Sequence, residues 1–409
     1  MQQSESQQRT MRILVLCNKM PYPSNDGGTI ATLNMIMGLA AQGNMVDVLA
    51  MQTQKHNFPL EKLSAELKQN INWHSVWIDT EISIGKLLKN LFFSRLPYNA
   101  ERFVSEEYNT KLIDLLKNDY DIIQLEGLYL TSYIDTIRKY SKSTISLRAH
   151  NVERQIWERL AETEANPVKK LYKRILSHRI GILESQNLSK IDLLVPITRN
   201  DAAQLPFSPE RTYVAPTGIE PQKFSAYKEP AVPNSVFYIG ALDWEPNQEA
   251  VLWFVRNVWT SVHQQRPDWE LHIAGRNAPK DFAAELTNYP VIFDGQVQSA
   301  QEFIERHNIM VVPLLSGSGM RIKIIEAMAH SRCVVTTPVG AEGIDAENGR
   351  QILIGETPDE LTQLILKAIS DANYTQKVAG EAFEYTNTNF NNRQIISGLN
   401  NFYKLCLQR

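Results

Sequence analysis

Cysteines, long apolar runs and an excess of charge of either sign are all scarce in this chain of 409 residues. The three cysteines, Cys17, Cys333 and Cys406, are odd in number and far apart, which suits a reducing compartment better than a disulfide framework. No apolar run approaches the ~18 residues of a membrane-spanning helix, and the polar start lacks the apolar core of a signal peptide. We therefore expect a cytoplasmic protein.

Several binding and catalytic signatures are missing as well. The net charge of -3 gives no general attraction to a polyanion, so nucleic acid is not expected as a partner. The chain has no G-x-x-x-x-G-K-[ST], G-x-S-x-G or H-E-x-x-H, and no G-x-G-x-x-G follows a strand, which disfavours a dehydrogenase. No Asp-x-Asp pair stands out as a metal clamp. The expected site therefore contains no metal and no cofactor.

The chain does contain short β-branched runs that alternate with longer periodic segments, a pattern typical of parallel βαβ units. A helix is expected from about Thr29. Strands are predicted at 11–19, 45–51, 121–126, 143–148, 191–198 and 211–216, and, after a proline-rich linker at 216–234, at 235–240, 269–275, 291–295, 308–315 and 332–337.

This restart of the pattern predicts an α/β protein with two Rossmann-like, doubly wound domains that face a central cleft. The first domain is expected at 11–215 and the second at 216–390. A last helix within 391–409 can return to the first domain.

Ligands of open α/β sheets bind beyond the carboxyl ends of the strands, so we searched for motifs there. Asp26-Gly27-Gly28 precedes the first predicted helix and fits either a phosphate site or a plain turn. His150, in Arg148-Ala149-His150-Asn151, can donate to a sugar hydroxyl or a phosphate, or it can be a satisfied structural histidine.

The most informative stretch is SGSGMRIKIIEAMAHSRCVVTT (316–337). A Ser-Gly loop leads into a helix expected to start near Met320, so the amides of 317–320 are predicted to be free to bind an anion. Arg321 and Lys323 add two cations, which suits a diphosphate, and Glu326 can accept hydrogen bonds from a ribose. The alternative is a solvated helix surface.

Two basic, aromatic segments, 86–103 and 168–180, do not fit the alternation of strands and helices. Such helices can lie on an anionic membrane surface. They can equally be ordinary amphipathic helices that cover a sheet.

The order of motifs from Met11 to Phe390 resembles the retaining glycosyltransferase family 4, which has the two-Rossmann GT-B architecture. The motifs are PYPSNDGG (21–28), RAHNVE (148–153), VPITRNDA (195–202), VAPTGIE (214–220), YIGALDWEPNQEAVLWF (238–254), LHIAGRNAP (271–279), FDGQV (293–297), SGSGMRIKIIEAMA (316–329) and GAEGI (340–344).

The resemblance implies a nucleotide diphosphate-sugar donor, a glycan or lipid-linked acceptor, and retention of anomeric configuration. It implies catalytic roles for His150 at the transferred sugar and for Arg321 and Lys323 at the diphosphate. The implied substrate-binding positions are Gly27 and Gly28 at the diphosphate, Glu326 at the ribose, Gly319 and Met320 at sugar or phosphate, Gly295 and Val297 at the base, and also Asn151 and Ser318.

The sequence departs from the family pattern at two places. Ser318 stands where the family often has the first of two glutamates, and residues 240–247 lack the Arg and Lys that often follow the first strand of the second domain. We hypothesise that Arg321 and Lys323 replace that charge. This G-S-G-x-R-x-K form resembles a subgroup associated with bacterial polysaccharide assembly. A non-catalytic nucleotide-sugar-binding relative and a nucleotide-sugar epimerase remain as alternatives.

Overall fold

The computed structural model describes residues 10–224, 230–317 and 319–408, and the chain divides into two compact units. The first unit runs to Thr217 and resumes at Asn392, and the second spans Gly218–Asn391. Ser318 lies outside the described residues. None of the described helices combines the length and the apolarity needed to cross a bilayer.

Each unit contains a six-stranded parallel sheet, in the order β3-β2-β1-β4-β5-β6 and β12-β11-β10-β7-β8-β9. The strands are β1 (Arg12–Cys17), β2 (Met45–Gln52), β3 (Ile71–Trp77), β4 (Ile122–Glu126), β5 (Thr144–Ala149), β6 (Leu193–Pro196), β7 (Ser235–Ile239), β8 (Glu270–Ala274), β9 (Ile292–Gly295), β10 (Ile309–Val312), β11 (Cys333–Thr336) and β12 (Leu353–Ile354).

Helices connect these strands and pack on both faces of each sheet. They are α1 (Gly27–Ala41), α2 (Ala65–Lys68), α3 (Ile84–Phe93), α4 (Tyr98–Glu101), α5 (Glu106–Leu115), α6 (Ile134–Tyr140), α7 (Glu153–Glu162), α8 (Pro167–Leu188), α9 (Arg199–Gln204), α10 (Glu245–Phe254), α11 (Thr260–Gln265), α12 (Lys280–Leu286), α13 (Ala300–Arg306), α14 (Ile322–Ala329), α15 (Pro358–Ser370), α16 (Ala372–Asn389) and α17 (Asn392–Leu407). A π-helical turn, Val255–Trp259, joins α10 to α11.

The apolar strands follow from burial on both faces. In β1, Leu14 and Leu16 enter one hydrophobic core of the first unit, and Ile13 and Val15 enter the other. Successive side chains of a strand point to opposite faces, so a strand covered on both sides needs an unbroken apolar run. The second unit is layered in the same way around β7 and β10.

The last helix, α17, belongs to the first unit and packs against α1. Tyr403 donates a hydrogen bond to Gln124 Oε1 (2.8 Å) in β4 and lies 2.8 Å from Ser146 Oγ in β5. Asn400 Oδ1 accepts one from Asn44 Nδ2 at 2.8 Å. The helix therefore completes one face of the first sheet with buried polar contacts as well as apolar ones.

The strand predicted at 211–216 is wrong. This segment makes a single bridge, Leu194 with Thr212, and donates two hydrogen bonds to β6, from Tyr213 and Ala215. The flanking prolines lack the amide hydrogen that a longer ladder needs. The edge strands β3 and β12 were missed, because β3 is only partly buried and mixes polar with aromatic residues, and β12 has two residues.

Two helices begin at other residues than predicted. The helix α1 begins at Gly27, two residues earlier than expected, because Asp26 and Thr29 form a reciprocal capping box. The helix α14 begins at Ile322 rather than near Met320. Gly317 and Gly319 adopt positive φ angles of 111° and 82°, a conformation that keeps this loop out of the helix.

Candidate functional site

Both sheets have the doubly wound strand order, in which successive strands are added first toward one edge of the sheet and then toward the other. The reversal lies between β1 and β4 in the first unit and between β7 and β10 in the second. Loops at the carboxyl ends of such a pair diverge and leave a crevice where ligands bind. Most of the residues predicted from sequence lie near these two positions, whereas Gly295 and Val297 follow the edge strand β9.

In the second unit, Lys323 extends from α14 to the carboxyl end of β7. Its Nζ donates a hydrogen bond to Tyr238 Oη at 3.0 Å and lies 4.4 Å from the centre of the Tyr238 ring. Gly240, just after β7, leaves the space that the ammonium occupies: a Cβ there would lie 2.6 Å from Lys323 Nζ. Lys323 therefore places its amino group beside the loop that follows β7. In glycosyltransferase family 4, which the sequence resembles, this loop often carries an Arg and a Lys.

Lys323 and Glu326 share this corner, and both have strongly shifted titrations. Burial, together with the nearby Arg321 cation, lowers the pKa of Lys323 to about 7. Burial raises the pKa of Glu326 to about 7, against the opposing effect of Lys323. The surrounding protein groups thus stabilise neither the Lys323 ammonium nor the Glu326 carboxylate enough to offset its loss of solvation. Such paired shifts are typical of sites whose charges are completed by a ligand.

Arg321 lies at the position before α14, and its Nη1 donates to the carbonyl of Gly319. Met320 is half-buried and packs against the core of the second unit. The predicted cluster of Gly319, Met320, Arg321, Lys323 and Glu326 therefore lies together around the start of α14. The helix begins later than expected, so residues 317–320 precede it rather than form its first turn.

Gly295 and Val297 follow the edge strand β9. Gly295 has a φ of 67°, and its carbonyl accepts a hydrogen bond from the Gly275 amide at 2.8 Å. Val297 is half-buried against the second-unit core. Gly240 donates in turn to the carbonyl of Ala274 at 3.2 Å, so the loops after β7, β8 and β9 are tied in series.

In the first unit, Glu126 closes β4 and binds His150. Its Oε2 lies 2.8 Å from His150 Nε2 and 3.3 Å from Arg148 Nη1, and both acidic and guanidinium side chains are 1% exposed. Burial acts to raise the pKa of Glu126, but Arg148 and the His150 hydrogen bond lower it to about 2. The carboxylate is therefore ionised, and it fixes the orientation of the imidazole.

His150 combines features of its two predicted interpretations. Its Nε2 is committed to Glu126, as in a structural histidine, yet its side chain remains 18% exposed. Within the described part of the chain, its Nδ1 makes no hydrogen bond. Burial lowers the pKa of His150, and the cations of Arg148 and Lys19 add to this effect, so the ring is favoured neutral. A neutral, oriented imidazole can exchange a hydrogen bond with a sugar hydroxyl.

Gly27 and Gly28 lie at the start of α1, but a carboxylate of the chain already caps this helix. Asp26 Oδ1 accepts from the Thr29 amide at 2.9 Å and from Lys19 Nζ at 2.8 Å. A Cβ on Gly28 would lie 3.0 Å from Lys19 Nζ, so this glycine makes room for the lysine. The local geometry favours a positioned Lys19 over an open phosphate cradle at Gly27.

Asn151 lies beside this cluster and forms a side-chain hydrogen bond with Glu153, whose pKa is raised by burial. Sequence reasoning missed Lys19, Glu126 and Tyr238. The available signal was position: Glu126 is the one acidic residue of β4, and it ends that strand at the reversal point.

Residues 233–371 match the family model described as "Glycosyl transferases group 1". A relative described as an uncharacterized 44.6 kDa protein in the cps region of Klebsiella pneumoniae is 23% identical over 399 residues, which cover 95% of this chain and 98% of that protein.

Solved structures share the architecture at low identity. Sucrose-phosphate synthase from Thermosynechococcus elongatus has a TM-score of 0.70 at 17% identity and covers 97% of this chain and 99% of its own. HepE from Anabaena, in complex with UDP-glucose, has a TM-score of 0.65 at 13% identity, with 95% and 98% coverage. The predicted α/β fold of the GT-B type is confirmed, and the resemblance to glycosyltransferases is supported by the match of residues 233–371 to the group 1 model.

Proposed function

We propose that the chain is a retaining glycosyltransferase of family 4 type. It moves a hexosyl group from a nucleotide diphosphate-sugar to a glycan or lipid-linked acceptor, in bacterial polysaccharide or glycolipid assembly. The observation that carries the proposal is that the half-buried Lys323 and Glu326 lie within one turn of α14 with oppositely shifted pKa values, inside the segment that matches the group 1 model. The UDP-glucose bound by HepE and the cps-region origin of the Klebsiella relative support it.

The charges of the side chains in the second unit indicate the role of each. Lys323 and Arg321 bind the diphosphate and stabilise the negative charge that grows on it as the glycosidic bond breaks. Glu326 accepts hydrogen bonds from the ribose hydroxyls. The loop at Gly319 and Met320 contacts the sugar or phosphate, and Gly295 and Val297 contact the base. The charge of the leaving group is thus carried by side chains of α14 and the residues just before it.

In the first unit, His150 contacts the transferred sugar, with Asn151 beside it, and Glu126 acts as its positioning residue. Because the carboxylate holds Nε2, the other ring nitrogen, Nδ1, is the atom available to the sugar. Lys19, held by Asp26 at Gly28, adds a cation to the same region, within electrostatic range of His150. The leaving phosphate itself assists attack on the same face, which explains why the chain needs no strong nucleophile.

Nucleotide release tests the proposal. The chain is first screened against UDP, GDP, ADP and their sugars by thermal shift, since tighter ligands stabilise the folded state more. The stabilising donor is then supplied with extracted glycolipid or glycan acceptors, and liberated nucleotide diphosphate is measured. We expect acceptor-dependent release. Binding without release would indicate a non-catalytic relative, and conversion of the donor alone, followed by NMR, would indicate an epimerase.

Replacing Gly240 with valine tests the position of the Lys323 ammonium. A Cβ at this residue would lie 2.6 Å from Lys323 Nζ and 2.7 Å from Tyr238 Oη, so the lysine must move. We expect nucleotide diphosphate affinity to fall at least about tenfold, because a charge-assisted hydrogen bond is lost. Calorimetry measures the affinity. Gly380→Ala, in open space on α16, is the control and should bind normally; normal binding by Gly240→Val would contradict the assignment.

Nucleotide binding should also take up a proton at about pH 8. The pKa of ligand-free Lys323 is about 7, so the side chain is mostly neutral there, and Glu326, with a pKa of about 7, is mostly ionised. A diphosphate favours the ammonium form, so affinity should decline as the pH rises above 7. Calorimetry in two buffers of different ionisation enthalpy measures the uptake. Lys323→Met should show none, and equal heats for wild type in both buffers would refute this linkage.

A further inference from the structure

The helix α3 exposes most of its large apolar side chains to solvent. Its one buried residue is Asn90, whereas Ile84, Phe92 and Phe93 are 80%, 73% and 86% exposed. Ile84, Leu88 and Phe92 recur every four residues and so share a stripe of the helix surface. Surface helices normally bury such a stripe against the core, and an exposed apolar stripe marks an interaction surface.

Several polar contacts attach α3 to the first unit. Arg179 of α8 donates to the carbonyl oxygens of Leu91 (2.7 Å) and Asn90 (3.3 Å) at the end of α3. Asn90 Nδ2 donates to Leu96 O at 2.9 Å and to Glu101 Oε2 at 2.8 Å. These bonds fix the helix while its apolar stripe stays outward.

The first turns of α8 carry further exposed apolar side chains. Val168 and Leu171 are exposed there, although the later residues Leu176 and Ile180 are buried in a small core. Leu171 precedes Arg179 by eight residues, or about 12 Å along a helix axis. We call the exposed set the apolar-basic patch; it comprises Ile84, Leu88, Phe92, Phe93, Val168 and Leu171 with the exposed cations Lys89, Arg95, Lys169 and Arg174.

The charge of this patch has one sign. Residues 84–95 include three Lys or Arg and residues 166–180 include five, and neither stretch has an Asp or Glu. Two acids beside these stretches are paired, Asp79 with Lys86 at 2.9 Å and Glu164 with Lys173 at 2.6 Å. A partner of this surface must therefore accept both protruding apolar side chains and several unopposed cations.

We propose that the apolar-basic patch docks on an anionic phospholipid bilayer. Phe92, Phe93 and Leu171 insert among the acyl chains, and the surrounding cations bind the lipid phosphates. A second copy of the chain fits less well, because a two-fold interface would bring like charges together. This inference goes beyond the proposed transfer reaction and does not depend on it.

Vesicle flotation with the full chain tests this surface. The probes are phosphatidylcholine vesicles with and without phosphatidylglycerol. We expect binding to the anionic vesicles only, and weakening at high salt because the charges are exposed. Phe92→Ser/Phe93→Ser and Lys169→Glu/Arg174→Glu should each lower the partition coefficient at least about tenfold.

Matched controls separate the patch from general effects. Leu405→Ser removes an apolar side chain that is 61% exposed on α17, and Lys280→Glu/Lys377→Glu reverses two exposed charges of the second unit. Both should bind vesicles like wild type, and circular dichroism should show all variants folded. The proposal is overturned if wild type ignores anionic vesicles, if the patch variants bind as well as wild type, or if light scattering reveals a dimer that Phe92→Ser/Phe93→Ser dissolves.

Discussion

Lys323→Met should lower the rate of sugar transfer by about 10²–10³-fold, as expected when a preorganised charge is removed from a developing anion. The same substitution should stabilise the ligand-free protein. The side chain is half-buried with its pKa lowered from 10.5 to about 7, so folding is penalised for the charged form. Methionine has a similar length and no charge, and we expect a gain of about 1–3 kcal/mol near pH 7.

The pH dependence of that gain has a definite sign. Between about pH 7 and 10.5 the unfolded state binds more protons at Lys323 than the folded state, so wild-type stability rises with pH there. The advantage of Lys323→Met is therefore fully present below pH 7 and shrinks toward pH 10. Lys280→Met, at an exposed position of α12, is the control and should change neither rate nor stability. A destabilised Lys323→Met variant with normal turnover would make the lysine merely structural.

Glu126→Gln should destabilise the first unit by about 3–5 kcal/mol, because it leaves the buried Arg148 guanidinium without its counter-charge. The double variant Glu126→Gln/Arg148→Met should recover most of this loss in urea unfolding. It should not recover the transfer rate, because His150 still lacks the carboxylate that orients it. This separation of stability from activity distinguishes a positioning residue from a structural one.

The control for this prediction is the same substitution at a surface ion pair. Glu158 lies 3.7 Å from Arg154, with side chains 46% and 52% exposed, so Glu158→Gln should cost at most about 1 kcal/mol. Glu126 has a pKa lowered to about 2, so its contribution is present above about pH 4.5 and is lost as the pH falls through 2. Equal effects at both positions would contradict the buried-pair account.

Residue pattern predicted most of the fold because the central strands are buried on both faces. Runs such as those of β1 and β10 have to be apolar throughout, and this makes them visible in sequence. The edge strand β3 escapes the same reasoning because it is only partly buried and mixes polar with aromatic residues. The extended segment at 211–216 looks like a strand, yet it pairs through a single bridge.

Residues of the candidate site that lie within one sequence motif could be predicted. Contacts between residues far apart in the sequence could not. Arg321, Lys323 and Glu326 are neighbours in sequence, so their cluster could be predicted. The partnership of Lys323 with Tyr238 spans 85 residues, and that of Glu126 with His150 spans 24. Strand order creates both contacts, and no local spacing encodes them. The capping box at Asp26 explains why Gly27 is less open than expected.

The most direct measurement is a crystal structure of the chain with the nucleotide diphosphate that stabilises it most. The account predicts phosphate oxygens within hydrogen-bond distance of Lys323 Nζ, beside Gly240, and a ribose hydroxyl on the Glu326 carboxylate. A nucleotide bound elsewhere in the second unit, with Lys323 still turned to Tyr238 and no phosphate near it, would contradict the central claim.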